Sequence, residues 1–357
     1  MTDLTLARTA TETVMGMQVY ERALDDRADE ALARVAPTAR IRRTVVRSMR
    51  SPLPGNRRVP LARLGRAGPG TRREVGRWLY RGGGPVHRLD LTLPPSPRAD
   101  IVTVHDLAPL RFSDEGELPP TARFEVQRAA AVITVSRFSA AEIAEHLGGP
   151  EPVVIPNGVD HDRFAGASPL DGRDLQHLGI RSPYVLVAGG ASQRKNLVEL
   201  ARAWPLVRSV RPDLTLVLTG PPHPRRDQLF GHLEGAVLVG RVSDEALPRL
   251  LAGAAALAVP STYEGFGLPA IESMAAGVPV VAVDASSLPE VLGGTGVLTD
   301  GTASGLAGGI EWATNDDPDI RAKVEAARKR SLDFTWERSA ALHAQVWGDV
   351  IAGRLPR

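Results

Sequence analysis

From residue 184 onward, short apolar runs alternate with stretches of helical spacing. Tyr184–Ala188, Leu214–Leu218, Ala236–Val239, Ala255–Val259 and Val278–Val283 are predominantly apolar runs, as strands buried on both faces require. Between them, Asn196–Val207, Arg226–Leu233 and Ser243–Ala252 carry helical spacing, with Asn196 and Ser243 placed to cap. Strands that alternate with helices build parallel sheets from βαβ units. The first half repeats the theme less regularly. Leu4–Ala7, Ile41–Val46, Pro85–Leu89, Ile101–Val104, Val132–Val135 and Val153–Ile155 read as strands. Helical patterns fall at Met17–Val35, Arg72–Tyr80, Pro120–Ala130 and Ser139–Leu147, and the tail Phe334–Ile351 reads as a long helix. Residues 51–70, rich in Pro, Gly and Arg, and residues 165–182 read as loop, the second as the linker between two halves.

Length agrees with that division: 357 residues exceed one ordinary domain. Hydrophobic residues at 43% and charged ones at 24% are an ordinary globular balance, and a net charge of +2 argues against a nucleic-acid partner. The chain has no cysteine, which excludes disulfides, thiolate chemistry and Cys-ligated metal. Met1–Met17 lacks an apolar signal core, and the longest apolar run, Leu250–Val259, is too short to span a bilayer. A cytoplasmic protein is the expectation. Only three of the 43 cations are lysine, namely Lys195, Lys323 and Lys329, so a lysine in an interior loop carries information.

Such a loop follows Tyr184–Ala188. In Gly189-Gly190-Ala191-Ser192-Gln193-Arg194-Lys195-Asn196 two cations sit at the start of a helix, where the dipole disfavours them unless an anion is present. Lys195 and Arg194 can neutralise a leaving diphosphate, a Lewis-acid role otherwise given to a metal. A second loop follows Ala255–Val259. Gly265 and Gly267 let the backbone approach a ligand, and Pro269 opens a helix whose N-terminal N–H groups suit a phosphate. Gly277 ends that helix. Glu264 lies on the loop within reach of sugar hydroxyls. Glu272 lies one turn into the helix, where a carboxylate can accept from both hydroxyls of a ribose. Capping does not explain Glu272, because the residue three positions earlier is Pro269. Both loops open at the carboxyl ends of strands, where open α/β sheets bind ligands.

Two further features bear on partners. His105-Asp106 ends a strand in the first half, a pair that serves equally as a turn or cap. Arg40–Arg88 carries fourteen arginines against one acid, Glu74. That segment suits an anionic membrane surface or a phosphorylated acceptor, and equally a solvated face.

These residues together resemble family 4 of the retaining glycosyltransferases of GT-B fold. The resemblance rests on Ser261–Pro269 with its continuation through Glu272 to Val280, which looks like the family's Glu-x7-Glu motif. Val102–Leu107, Thr134–Ser139, Ile155–Asp160, Arg194–Asn196, Gly240–Ser243 and Ser287–Glu290 also look familial. The implied fold is α/β, two Rossmann-like domains with parallel sheets facing a central cleft. Residues 1–165 form the acceptor-side domain, 166–335 the nucleotide-sugar domain, and 336–357 a helix crossing back to the first. The implied reaction moves mannose or another hexose from a GDP- or UDP-linked sugar to a hydroxyl of a glycan, lipid-linked or small-molecule acceptor, with retained configuration and no metal or other cofactor.

By matching position, the resemblance assigns Glu272 to the ribose and Glu264 to the donor sugar. Phe266, Gly267 and Leu268 offer main-chain contacts to sugar and diphosphate. Lys195 and Arg194 stabilise the departing phosphate, and Arg241 and Val242 lie beside the base. His105 reaches the donor sugar, and Gly16 belongs to a loop approaching the phosphates. The chain departs from the pattern at Gly189, where many members carry arginine. That departure and the basic segment lean toward a catalytically silent partner in a glycan-assembly complex; the intact glutamates, lysine and histidine lean toward an enzyme. A nucleotide-sugar epimerase shares the architecture but fits these strings less well.

Overall fold

The computed structural model describes residues 3–11 and 16–354. It divides into two compact units, residues 1–158 with 336–357 and residues 159–335. The division falls at Gly158, before the 165–182 stretch read as linker. That stretch instead contains a short helix, Gly172–His177, started by Asp171, whose side chain accepts from Arg173 N and Asp174 N.

The first unit contains one parallel sheet of order β3-β2-β1-β4-β5-β6-β7. Its strands are β1 (Leu4–Thr9), β2 (Ile41–Ser48), β3 (Arg57–Val59), β4 (Val86–Arg88), β5 (Asp100–Thr103), β6 (Ala131–Thr134) and β7 (Val153–Val154). The proline- and arginine-rich residues 51–70 are not simply loop. They supply β3 and the helix Leu61–Gly65, because Val59 and Leu64 complete an apolar cluster with Ala7, Val46 and Leu79. Another cluster in this unit gathers Val102, Val104, Val132 and Ile143. The helix Gly16–Val35 buries Tyr20, Leu24, Ala28 and Leu32 along one face. The final helix, Trp336–Ile351, belongs to this unit and packs along Gly16–Val35.

The second unit holds a six-stranded parallel sheet of order β10-β9-β8-β11-β12-β13. Its strands are β8 (Tyr184–Ala188), β9 (Thr215–Thr219), β10 (Ala236–Gly240), β11 (Ala256–Val259), β12 (Val280–Val283) and β13 (Val297–Thr299). The core gathers Val185, Leu216, Ala258 and Val281 from the strands with Leu200, Trp204, Leu306 and Ile310 from helices. The chain runs from β8 outward to β10, then crosses to the other side of β8 to lay down β11. The order therefore reverses between β8 and β11, the place where a crevice opens at the carboxyl ends of an open sheet. Among the described residues no helix is long and apolar enough to cross a membrane.

Candidate active site

The two loops that flank this reversal are those after β8 and β11, and side chains tie them together. Glu264 lies between two cations: Lys195 Nζ is 2.6 Å from its Oε1, and Arg194 donates to its Oε2 at 2.9 Å. Arg194 also donates to the Tyr263 carbonyl at 3.1 Å, and Thr262 N donates to the Arg194 carbonyl at 2.9 Å. Burial pushes Glu264 up, but Lys195 and Arg194 outweigh it and hold the carboxyl at about 2. The carboxylate is therefore charged at neutral pH, and the side chains of the two cations stay partly accessible. Sequence reasoning assigns the cations to phosphate and Glu264 to sugar; the structure joins all three in one cluster.

Local backbone chemistry holds this arrangement. Gln193–Lys195 forms a turn of 3-10 helix, and Asn196 follows in the left-handed conformation (φ 51°), which asparagine tolerates. Asn196 stands at the N-cap position of the helix Leu197–Val210, but its side chain does not cap. It donates to the Gly301 carbonyl at 2.9 Å instead, because the left-handed backbone turns it away from the helix. Ser243 likewise sits before its helix, which begins at Ala246, and accepts Ala246 N at 3.2 Å. Gly189 has φ 140°, and a Cβ there would lie 3.7 Å from both Cε and Nζ of Lys195. An arginine at 189 would meet strained backbone at this φ, so glycine suits this version of the loop.

The loop after β11 leads into the helix Leu268–Ala276, with Gly267 at φ 98° and Pro269 in the first turn. A side chain at 267 would approach Leu288 to 2.9 Å. Phe266 is buried and meets Phe334 edge-on, which anchors the turn. At the far end Gly277 N donates to Met274 O and Val278 N to Ser273 O, the paired bonds of a Schellman stop. Glu272, one turn in, is half-buried; desolvation pushes it up to about 7, with Arg163 pulling the other way. Arg241 is exposed just after the edge strand β10, with Val242 half-buried beside it. They lie on the same carboxyl edge of the sheet, two strands from β8.

Several supporting residues have no motif that announces them. Ser286, with φ 54°, accepts Glu264 N at 2.9 Å, and Ser287 donates to the Glu264 carbonyl at 2.9 Å. Arg226 is buried and donates to the carbonyls of Thr219 and Gly189, bracing the loop after β8 from behind. Only Ser287 falls within a string that the sequence singles out.

The first unit carries the other two predicted residues. His105 follows β5, is half-buried, and meets Tyr20 edge-on at 4.7 Å. Desolvation lowers it to about 4 despite Asp90 and a hydrogen bond to the Leu89 main chain. Asp106 makes a local turn, its Oδ1 accepting Ala108 N at 3.0 Å. Gly16 opens the helix Gly16–Val35, and residues 12–15 of its loop lie outside the described residues.

The arginine-rich segment is partly neutralised by acids of the same unit, most of them outside the segment. Arg72 and Arg88 are buried on Glu125 and Asp100, Arg43 pairs with Asp25 and Asp29, and Arg77 pairs with Glu74.

Comparison with known proteins gives this geometry a family. Residues 182–316 match the family described as "Glycosyl transferases group 1", and residues 94–163 that described as "Glycosyltransferase Family 4". The chain is 31% identical over 330 residues to a phosphatidyl-myo-inositol mannosyltransferase of Mycobacterium tuberculosis, a span covering 84% of each protein. The chain belongs to glycosyltransferase family 4. It is also 32% identical over 232 residues to the MMP alpha-(1->4)-mannosyltransferase of Mycolicibacterium hassiacum, and 32% over 221 residues to the O-antigen chain mannosyltransferase B of Escherichia coli. It spans only 54% and 58% of those two relatives. Among solved structures, a sucrose-phosphate synthase from Thermosynechococcus elongatus superposes with a TM-score of 0.75 at 21% identity, covering 99% of this chain and 100% of that one. Anabaena HepE in complex with UDP and glucose superposes at 0.71 and 20% identity, covering 96% and 98%. The fold of this family 4 member is GT-B, with two parallel-sheet α/β domains.

Proposed function

We propose that this chain moves a hexose, mannose being favoured by its mannosyltransferase relatives, from a nucleoside-diphosphate sugar to an acceptor hydroxyl with retained anomeric configuration. The observation that carries the reading is the cluster of Lys195, Arg194 and Glu264 at the sheet reversal, beside the start of the helix Leu268–Ala276. On arrival, the donor diphosphate draws Lys195 and Arg194 into pairing with its oxygens, and the first N–H groups of that helix add to the field. Glu264 and the main chain of Phe266, Gly267 and Leu268 hold the sugar. Glu272 accepts from the ribose hydroxyls, and Arg241 and Val242 flank the base. Gly16 approaches the phosphates, and His105 accepts a hydrogen bond from the sugar.

The bond from the anomeric carbon to phosphate then breaks while the acceptor oxygen bonds to the same face. The departing phosphate oxygen takes the acceptor proton, and its growing charge is met by Lys195 and Arg194. No metal is required in this scheme, because the two cations supply the positive charge. The nucleotide is GDP or UDP, the latter supported by the Anabaena protein solved with UDP and glucose. The acceptor is a glycan, lipid-linked or small-molecule hydroxyl. We place the protein in the cytoplasm, in peripheral contact with anionic lipid through the exposed Arg58, Arg63, Arg66 and Arg73 and through Trp78, which is 45% exposed.

A thermal-shift screen with GDP, UDP, ADP and their sugars, followed by product analysis with excess chelator, tests the reading. One nucleotide should raise the melting temperature and its sugar should be transferred without added metal. Binding without transfer to any acceptor class would instead support the silent partner.

A further inference from the structure

A buried chain of hydrogen bonds runs through the first unit and ends on the helix Trp336–Ile351. Its two ends have fixed polarity. Trp347 Nε1 can only donate, and it lies 3.1 Å from His87 Nδ1. The Ser339 carbonyl can only accept, and it lies 2.8 Å from His343 Nδ1. These ends determine everything between them. His87 Nδ1 is an acceptor, so Nε2 carries the proton of the neutral ring and donates to Thr103 Oγ1 at 2.8 Å. His343 carries its proton on Nδ1, so Nε2 accepts from Tyr20 Oη at 2.9 Å. The Tyr20 proton is thereby committed, and the 3.0 Å contact between Tyr20 and Thr103 runs from Thr103 to Tyr20. Donation passes in one direction through Trp347, His87, Thr103, Tyr20, His343 and Ser339. Both imidazoles are neutral, since burial lowers His343 to about 4 and His87 well below its ordinary value.

Tyr20 is the ring of this run that meets His105 edge-on among the described residues. Its hydroxyl is held by β5 and the final helix, and its ring lies edge-on to His105, with centroids 4.7 Å apart and planes at 85°. Because His105 Nε2 is buried with no partner among the described residues, the ring's hydrogen bond to the Leu89 main chain falls to Nδ1, which leaves Nε2 as a lone-pair acceptor. A phenol pinned at its oxygen fixes the wall against which His105 rests.

We propose that Tyr20 is a positioning residue for His105, held by the C-terminal helix through His343 and by β4 and β5 through His87 and Thr103. The final helix then acts on His105 through Tyr20 rather than serving the fold alone. The inference rests on the reading that His105 meets the donor sugar. Other titratable groups that face His105 are Asp90, which follows β4, together with His87 and His343.

The test combines kinetics with NMR of labelled histidines. Tyr20→Phe keeps the ring and removes both hydrogen bonds of the hydroxyl. Its kcat should fall about tenfold while the donor KM stays the same, as expected of a misplaced group. His343→Leu should match it, and Tyr20→Phe/His343→Leu should be no worse than either single variant. His343→Gln offers an amide oxygen to Tyr20 and should recover most of kcat. Without substrate, the ring nitrogen shifts of His105 should indicate a single Nδ1–H tautomer in the wild type and a mixture in Tyr20→Phe. Unchanged His105 spectra with unchanged kcat would overturn the proposal. So would losses that follow melting temperature alone, with Gln no better than Leu at 343. A wild type that transfers no sugar would count against the transferase reading, while the NMR comparison still decides whether Tyr20 positions His105.

Discussion

In the first unit Glu125 takes Arg72 at 2.5 Å and Arg88 at 2.7 Å; in the second, Glu264 takes Lys195 at 2.6 Å and Arg194 at 2.9 Å. The chemistry is nearly the same and the surroundings differ. Arg72 and Arg88 are fully buried; further donors reach the carbonyls of Leu64, Leu91 and Leu93 and Asp100, while Arg88 Nη2 lies 3.0 Å from Asp100 Oδ2 without a hydrogen bond. Thr121 donates a further bond to Glu125 at 2.7 Å. Such a sealed cluster ties strand, helix and loop together and leaves no place for a ligand. The cations on Glu264 lie instead on loops at the carboxyl edge of a sheet, with side chains 14% and 18% exposed, so an incoming anion can reach them. Accessibility at the sheet reversal, rather than the ion pair itself, separates a binding cluster from a structural one.

The largest effect expected from this contrast is on folding. Glu125→Leu leaves two buried guanidinium groups without their shared carboxylate and should cost about 3–5 kcal/mol in urea denaturation. Glu264→Ala should cost far less, because Lys195 and Arg194 can turn to water. Equal losses of stability would erase the distinction between the clusters. Activity should rank the other way. Lys195→Ala should lower transfer about 10²–10³-fold, the size expected when a donor to developing charge is removed, while costing less stability than Glu125→Leu because Arg194 still pairs with Glu264.

A smaller effect sharpens the role of Glu272. Its carboxyl is raised to about 7 in the fold from the ordinary 4.5, so the native state holds a proton that the unfolded chain has released. Stability from this group is complete below pH 4.5 and is lost as pH rises toward 7. Glu272→Gln should remove that slope from a series of melting temperatures, and should weaken nucleotide binding at pH 8. A variant that keeps both the slope and the affinity would remove Glu272 from the ribose site.

How much of this was legible depended on how local the signal was. The second unit could be read closely, since β8 is a run of apolar residues and the helix Leu268–Ala276 is bracketed by Gly267, Pro269 and Gly277. Lys195 was visible as a cation out of place and Glu264 as a carboxylate on a glycine-rich loop, but their contact joins two strand ends across the sheet reversal. The first unit was harder to read. The short helix Leu61–Gly65 lies within residues dominated by Pro, Gly and Arg, and packing rather than propensity secures it. The run from Trp347 through His87 and Tyr20 to His343 joins residues far apart in the chain, and no spacing rule marks them. Asn196 was correctly placed at a helix start, but its left-handed backbone sends the side chain elsewhere.

The central claim is that Lys195 and Arg194 are held on Glu264 in readiness for a diphosphate. Calorimetric titration of the wild type and Lys195→Ala with GDP and UDP tests it most directly. The account predicts that the wild type binds one of the two and that Lys195→Ala loses at least about tenfold in affinity, as removal of a charge-assisted bond implies. Equal affinity in the two proteins would contradict it.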